Sequence, residues 1–169
     1  MQKSARSVGI GPEYRERLGP SLWVLVSAAL AGPMAGLVLA PLDTTLALVV
    51  GGVVALAVIA LLVAASPVVD LRDGTLCAGR ARIGVEHLGD PVAFTGDPAR
   101  HARGPGLDPR SWHVIRGGID GIAVIPVIDR DDPTPVWVIS SRTPDRLVAA
   151  LRQAQSAGRA QATPRTPGR

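Results

Sequence analysis

Residues 22–65 read LWVLVSAALAGPMAGLVLAPLDTTLALVVGGVVALAVIALLVAA, and Asp43, near the midpoint, is the only ionisable side chain in the stretch. At about 1.5 Å per residue, a helix over 22–42 or over 46–65 is long enough to cross a hydrocarbon core of roughly 30 Å. The stretch predicts a transmembrane α-helical hairpin, 22–42 and 46–65, within a segment covering 18–66. A soluble core helix usually keeps a polar edge. Here the polar groups inside the two runs are small hydroxyls such as Ser27. A cleavable signal peptide fits poorly, because the first run exceeds an h-region and a second follows at once.

The turn Asp43-Thr44-Thr45 is short, so the two helices must run antiparallel and in contact, with Asp43 or Thr44 accepting from the free N–H groups of the second. Pro33 removes one N–H and strains the carbonyl of Ala29, which predicts a kink. Small residues recur every fourth position at Ala28, Gly32, Gly36 and Ala40, and again at Ala47, Gly51 and Ala55. That spacing lets backbones approach closely, within the hairpin or with a second copy in a homo-oligomer.

Lys3, Arg6, Arg15 and Arg17 precede the hairpin, Arg72, Arg80 and Arg82 follow it, and its turn has no Lys or Arg. The positive-inside rule then places both termini in the cytoplasm and the protein in the cell membrane as a multi-pass chain. A lone cysteine, Cys77, suits a reducing compartment. Aromatics are 3% and charged residues 19% of the 169 residues, because the apolar content is concentrated in one block.

Residues 1–17, broken by Gly and Pro, read as a flexible N-terminal segment whose Tyr14, Arg15 and Arg17 sit at the bilayer interface. After Pro67 the pattern alternates. Strands are expected at 68–71, 75–79, 82–85, 92–95, 112–116, 122–128 and 136–141, with a hairpin turn at Asp73-Gly74 and a turn at Gly117-Gly118. Pro126 suggests an edge or a bulge. Residues 96–109, rich in Gly, Pro, Asp and Arg, read as a long exposed loop. Thr143-Pro144-Asp145 opens a helix with an apolar face at Leu147, Val148 and Leu151. Residues 157–169 read as a disordered basic tail.

Seven strands closed by one helix outline an α+β domain over 67–156, a seven-stranded antiparallel pleckstrin-homology-like barrel with a C-terminal helix. The order YRERLGPSLW, two apolar spans, VVDLRDGTLCAGRARIGVEHLGD and PTPVWVISSRTPDRLVAALR resembles an uncharacterised family of small two-span membrane proteins from high-GC Gram-positive bacteria, catalogued as a domain of unknown function. The resemblance covers about residues 14–152 and implies a layout with a pleckstrin-homology-like cytoplasmic domain; it implies no activity.

Motifs that fix a reaction are missing from the sequence: it has neither a G-x-S-x-G elbow nor a Walker A loop. His87, His101 and His113 are too dispersed for metal-ligand spacing, and the Asp129-Asp131-Asp132 group lacks the Gly and Glu of a calcium loop, having Thr134 and Ser140 in those places. Asp108, Ser111 and His113 lie close in sequence, but nothing there builds an oxyanion hole. No cofactor is implied. Arg80, Arg82, Arg100, Arg103, Arg110 and Arg116 are the residues placed to meet a partner or the anionic leaflet. They lack the interleaved aromatics of a nucleic-acid site. The sequence therefore points to a non-enzymatic membrane protein whose cytoplasmic domain is a protein-interaction or scaffolding module. The alternatives are a reader of anionic lipid headgroups and a membrane-associated enzyme.

Overall fold

A computed structural model describes residues 13–162. The chain divides into two compact units. One is built from residues 17–67 and 116–119, the other from the remaining described residues.

The first unit is the apolar hairpin. Its outgoing arm is α1 (Leu22–Ala29) followed by α2 (Ala31–Leu39), and its return arm is α3 (Thr44–Ala64). Ser21 caps α1 by accepting from the Val24 N–H, and Asp43 caps α3 by accepting from the Leu46 N–H at 2.8 Å. The interruption at Leu30 follows from Pro33, which has no N–H to give the Ala29 carbonyl; the Leu30 N–H turns back to Ser27 O at 3.2 Å. The outgoing arm stops at Leu39, short of the expected 42: Ala40 still has helical dihedrals (φ −53°, ψ −38°), but Pro41 has no N–H to give the Leu37 carbonyl. The two arms, 18 and 21 residues, are each long and apolar enough to cross a membrane.

The arms meet backbone to backbone. A Cβ on Gly32 would lie 2.7 Å from Gly51 O, one on Gly51 would lie 2.8 Å from Gly32 O, and one on Gly36 would lie 3.0 Å from Ala47 O. Gly32, Ala47 and Gly51 are buried, Ala28 and Ala55 are half-buried, and the large side chains point outward, with Leu37 and Leu48 each 73% exposed. At the base, the Leu18 N–H donates to Pro67 O at 2.9 Å. The Arg17 guanidinium donates to Val63 O at 3.0 Å, at the negative end of α3.

The second unit carries two four-stranded sheets. In the first, β1 (Tyr14–Arg17), β2 (Val68–Arg72), β3 (Thr75–Ala78) and β4 (Ala81–Gly84) lie side by side in chain order. Asp73 and Gly74, both at positive φ (49° and 71°), make the tight turn between β2 and β3. Strand alternation sends Val69, Leu71, Leu76 and Ala78 to a fully buried face. A 3-10 turn, Val85–His87, follows.

The second sheet has the order β5-β7-β8-β6, with β5 Val92–Phe94, β6 Trp112–Val114, β7 Ile122–Pro126 and β8 Val136–Ser140. One face, by register, carries Ala123, Ile125, Trp137 and Ile139, all buried. The other carries Ile122 and Val138, which cluster with Ala99 of α4 (Gly96–Ala102) and with half-buried Phe94 and Val124. Helix α5 (Pro144–Ala162) buries Leu147, Val148, Leu151 and Ala154 at helical spacing and packs on β5, β7 and the 3-10 turn. From its buried face, Gln155 Nε2 donates to Leu88 O at 2.8 Å and Gly89 O at 3.0 Å, satisfying carbonyls that the 3-10 turn leaves unpaired.

These findings correct the seven-stranded barrel. Eight strands, among the described residues, form two separate sheets and no closed barrel, because β4 runs into the 3-10 turn and β5 pairs with β7. The wholly antiparallel pattern is also replaced: β6 pairs parallel with β8. Gly117-Gly118 forms the expected turn, with Gly118 at φ 81°, but β6 and β7 on either side of it do not pair with each other, and residues 116–119 pack within the hairpin unit. There the Arg116 Nε–H donates to Leu18 O at 3.3 Å and a Cβ on Gly118 would meet Ser21 Cβ. Residues 96–102 of the expected loop are helical, since a proline in the first turn, Pro98, forfeits an N–H that has no intrahelical partner there. Tyr14–Arg17 is a strand within what reads as an irregular segment, and α5 extends to Ala162 into the expected tail; the rest of both stretches lies outside the described residues. Pro126 ends β7 beyond the reach of β5, opposite Val136, so its missing N–H costs no bond to β5.

Candidate functional site

A polar concavity of the sheet unit lies between β1 and α5. It is a cleft of about 710 Å³, with Glu13, Tyr14, Arg15 and Glu16 on one side and Arg142, Thr143, Arg146, Ala149, Ala150 and Gln153 on the other. Alternation along β1 turns Tyr14 and Glu16 inward and leaves Arg15 and Arg17 exposed.

Glu16 holds the floor together. Its side chain is 12% exposed, and both carboxylate oxygens are engaged. Oε2 accepts from the Tyr14 hydroxyl at 2.6 Å and the Ser141 hydroxyl at 2.7 Å; Oε1 accepts from the Arg142 N–H at 2.8 Å, with the Arg142 guanidinium 3.7 Å away. Ser141, fully buried, also accepts from the Thr143 N–H at 3.0 Å. The Tyr14 oxygen lies 3.0 Å from Ser141 Oγ and 3.2 Å from Thr143 Oγ1. Burial first, and then its hydrogen bond to the Glu16 carboxylate, hold the Tyr14 phenol above its ordinary pKa of 10.0. With its oxygens accepting from three donors and a guanidinium close by, Glu16 is a structural acceptor, unsuited to removing a proton from a ligand.

Arg15 and Arg146 are exposed at the rim. Neither makes an ion pair among the described residues. Glu13, also exposed, lines the cleft beside Arg15, so the rim carries two arginines and one carboxylate over a self-satisfied floor.

The six arginines singled out in the sequence are dispersed over several elements. Arg80 lies over the Trp112 ring at 5.6 Å, and Arg82 is exposed on β4, opposite Cys77 of β3. Arg100 pairs with Asp97 at 2.7 Å, Arg103 with Asp120 at 3.5 Å, and Arg110 with Asp108 at 3.4 Å. Arg116 is bonded within the hairpin unit. The Arg110 N–H and guanidinium hold the Asp108 carboxyl below its usual range. The Asp108-Ser111-His113 group has no triad geometry: the Ser111 hydroxyl donates to the Asp108 backbone oxygen at 2.6 Å, and His113 Nδ1 lies 3.3 Å from the Ser111 carbonyl. His87 sits 3.4 Å from Asp129, whose other oxygen accepts from the Asp131 N–H in a polar turn.

A second concavity, about 500 Å³, opens on the sheet face beside α4, with Phe94, Val124, Val136 and Val138 as its floor and Asp97, His101 and Asp108 at its rim. In the hairpin, an apolar groove of about 490 Å³ runs along Gly32, Gly36, Ala47, Gly51 and Ala55.

Sequence reasoning missed the Tyr14–Glu16–Ser141 network. The Tyr-x-Glu alternation was readable, but the partners lie 125 residues apart, and no local pattern joins them. The Ser140-Ser141 pair ending an apolar run was the one available signal.

The architecture defines a class of small protein in which an apolar helical hairpin is inserted between the first two strands of a sheet. The family described as "Protein of unknown function (DUF3093)" matches residues 13–151, and the chain belongs to it. Neither the curated proteins nor the solved structures yield a match.

Proposed function

We propose that the protein is a non-enzymatic, two-span protein of the cell membrane whose sheet unit works as a protein-interaction module at the cytoplasmic surface. Outward-facing leucines and valines along both arms are suited to hydrocarbon; in water they would form an apolar surface far larger than soluble proteins carry. The hairpin lies between β1 and β2, which are neighbours in one sheet, so its two ends must share a side of the bilayer. Basic residues on both flanks, with none in the turn, favour the cytoplasm for that side.

The observation that carries the interaction reading is the β1–α5 cleft, whose floor spends its hydrogen-bonding groups on one another while its rim keeps arginines for a partner. The headgroup reading is less favoured, because Arg100, Arg103 and Arg110 are paired with carboxylates of the chain itself.

The test is in intact cells. The full chain should stay with membranes through an alkaline carbonate wash, a reporter fused after Arg152 should read cytoplasmic, and a photo-crosslinker at Gln153 should capture protein neighbours. A chain found in the aqueous fraction, a reporter read outside, or capture of lipid alone would overturn the reading.

A further inference from the structure

We infer that the cleft between β1 and α5 docks an extended, acidic peptide segment of a partner protein, which adds to the free edge of β1. The inference rests on the interaction-module reading and names its docking place and the chemistry of its partner.

Three observations converge on the same cleft. First, β1 is the terminal strand of its sheet among the described residues, so one row of its N–H and C=O groups faces away from β2 and can pair with another backbone. Second, the facing wall is one stripe of α5, in which Arg146 and Gln153 flank Ala149 and Ala150. The two alanines keep that wall of the cleft low, and Arg146 lines it one helical turn before them. Third, Arg15 on β1 and Arg146 on α5 are exposed and make no ion pair among the described residues; of the two acidic groups in the lining, Glu16 is already bonded to Tyr14, Ser141 and Arg142, and the exposed Glu13 is outnumbered by the two arginines. The cleft therefore presents positive charge from both walls, and alternate side chains of an added strand would point toward it.

The chain's own ends do not match this chemistry. Residues 1–12 carry Lys3 and Arg6, residues 163–169 carry Arg165 and Arg169, and neither segment has an acidic residue. A lipid headgroup would answer the arginines and leave the strand edge unused.

The test uses the full-length chain in nanodiscs of neutral lipid, with a fluorescein-labelled peptide of about ten residues alternating glutamate and valine, followed by anisotropy. The peptide should bind, and methylating its backbone nitrogens at alternate positions along one edge should weaken binding about tenfold or more, because the charge survives and the strand pairing does not. The double variant Arg15→Glu and Arg146→Glu should lose about tenfold or more for the acidic peptide and gain affinity for a lysine–valine counterpart. Ala150→Trp, which fills the cleft without touching charge, should also abolish binding. An unchanged far-ultraviolet circular dichroism spectrum and a cooperative thermal transition certify that each variant is folded. No binding of the acidic peptide, indifference to N-methylation, or indifference to charge reversal would each overturn the inference. If the reversed variant still crosslinks the same protein neighbours in cells, the docking place falls and the interaction module stands; if neither chain captures a protein, the broader reading falls as well.

Discussion

Replacing Gln155 by Met keeps the length and apolar stem of the side chain and removes its two donors. In the native chain those donors reach Leu88 O at 2.8 Å and Gly89 O at 3.0 Å; Val85 O, at 3.5 Å, already accepts from the Leu88 N–H. The variant therefore leaves two carbonyls without their partner beneath α5, at a residue that is 7% exposed. At about 1–2 kcal/mol for each carbonyl left unsatisfied, less about 1 kcal/mol for the sulfide gaining an apolar environment, the loss is about 1–3 kcal/mol. For a unit of roughly 100 residues that corresponds to a melting temperature lower by about 5–15 °C. Full-length protein in detergent, followed by the emission of the buried Trp137, provides the assay. Gln155→Glu should be no better than Gln155→Met, since a carboxylate facing three carbonyl oxygens cannot donate. A drop under about 3 °C for Gln155→Met, or a Glu variant more stable than the Met one, would refute the idea that this amide ties α5 to the 3-10 turn.

Four further outcomes follow from the geometry. Tyr14 is the chain's only tyrosine, so phenolate absorbance reports it alone: the native midpoint should lie above 10.0 and the unfolded one near it. Because the folded phenol binds its proton more tightly, its contribution to stability is present below pH 10 and is lost as pH rises through the native midpoint; a native midpoint at or below the unfolded one would contradict this. Glu16→Ala should cost about 2–3 kcal/mol in denaturant titrations and lower the Tyr14 midpoint, and a double-mutant cycle with Tyr14→Phe should show coupling of about 1 kcal/mol. Gly51→Leu should separate α2 from α3, costing about 1–3 kcal/mol in detergent-driven unfolding, while Gly52→Leu, with open space around its Cβ, should not. The Arg152 guanidinium holds Asp90 below its ordinary 3.8, so any contribution of this pair is kept above that value and lost as pH falls through the lowered one; Arg152→Met should return the Asp90 titration, read by NMR, toward 3.8.

The hairpin was legible because its signals are local. Two long apolar runs, one acidic cap at Asp43 and one proline at position 33 decide both arms and the interruption at Leu30. The Asp73-Gly74 turn was legible for the same reason: a two-residue loop at positive φ needs that pair or one like it. Helix α4 was not, because seven residues carry no apolar stripe and Pro98 reads as a breaker unless the helix start is already known. The division into two sheets was hidden by strand length. Val92–Phe94 and Trp112–Val114 are three residues each, and so short a strand says nothing of whether its partner is the next strand or one further on. The β1–α5 cleft was the least legible of all, since Glu16 and Ser141 meet only once both sheets are in place.

Placing the hairpin between two neighbouring strands sets an order of events during synthesis. Tyr14–Arg17 leaves the ribosome first, yet Val68, the first residue of its pairing strand, follows only after about fifty more residues, a delay of several seconds at ordinary translation rates. Until then the early strand lacks the partner it has in the finished sheet. On the proposed two-span reading, a return arm that failed to come back through the bilayer would leave β2 on the far side and the first sheet without its edge.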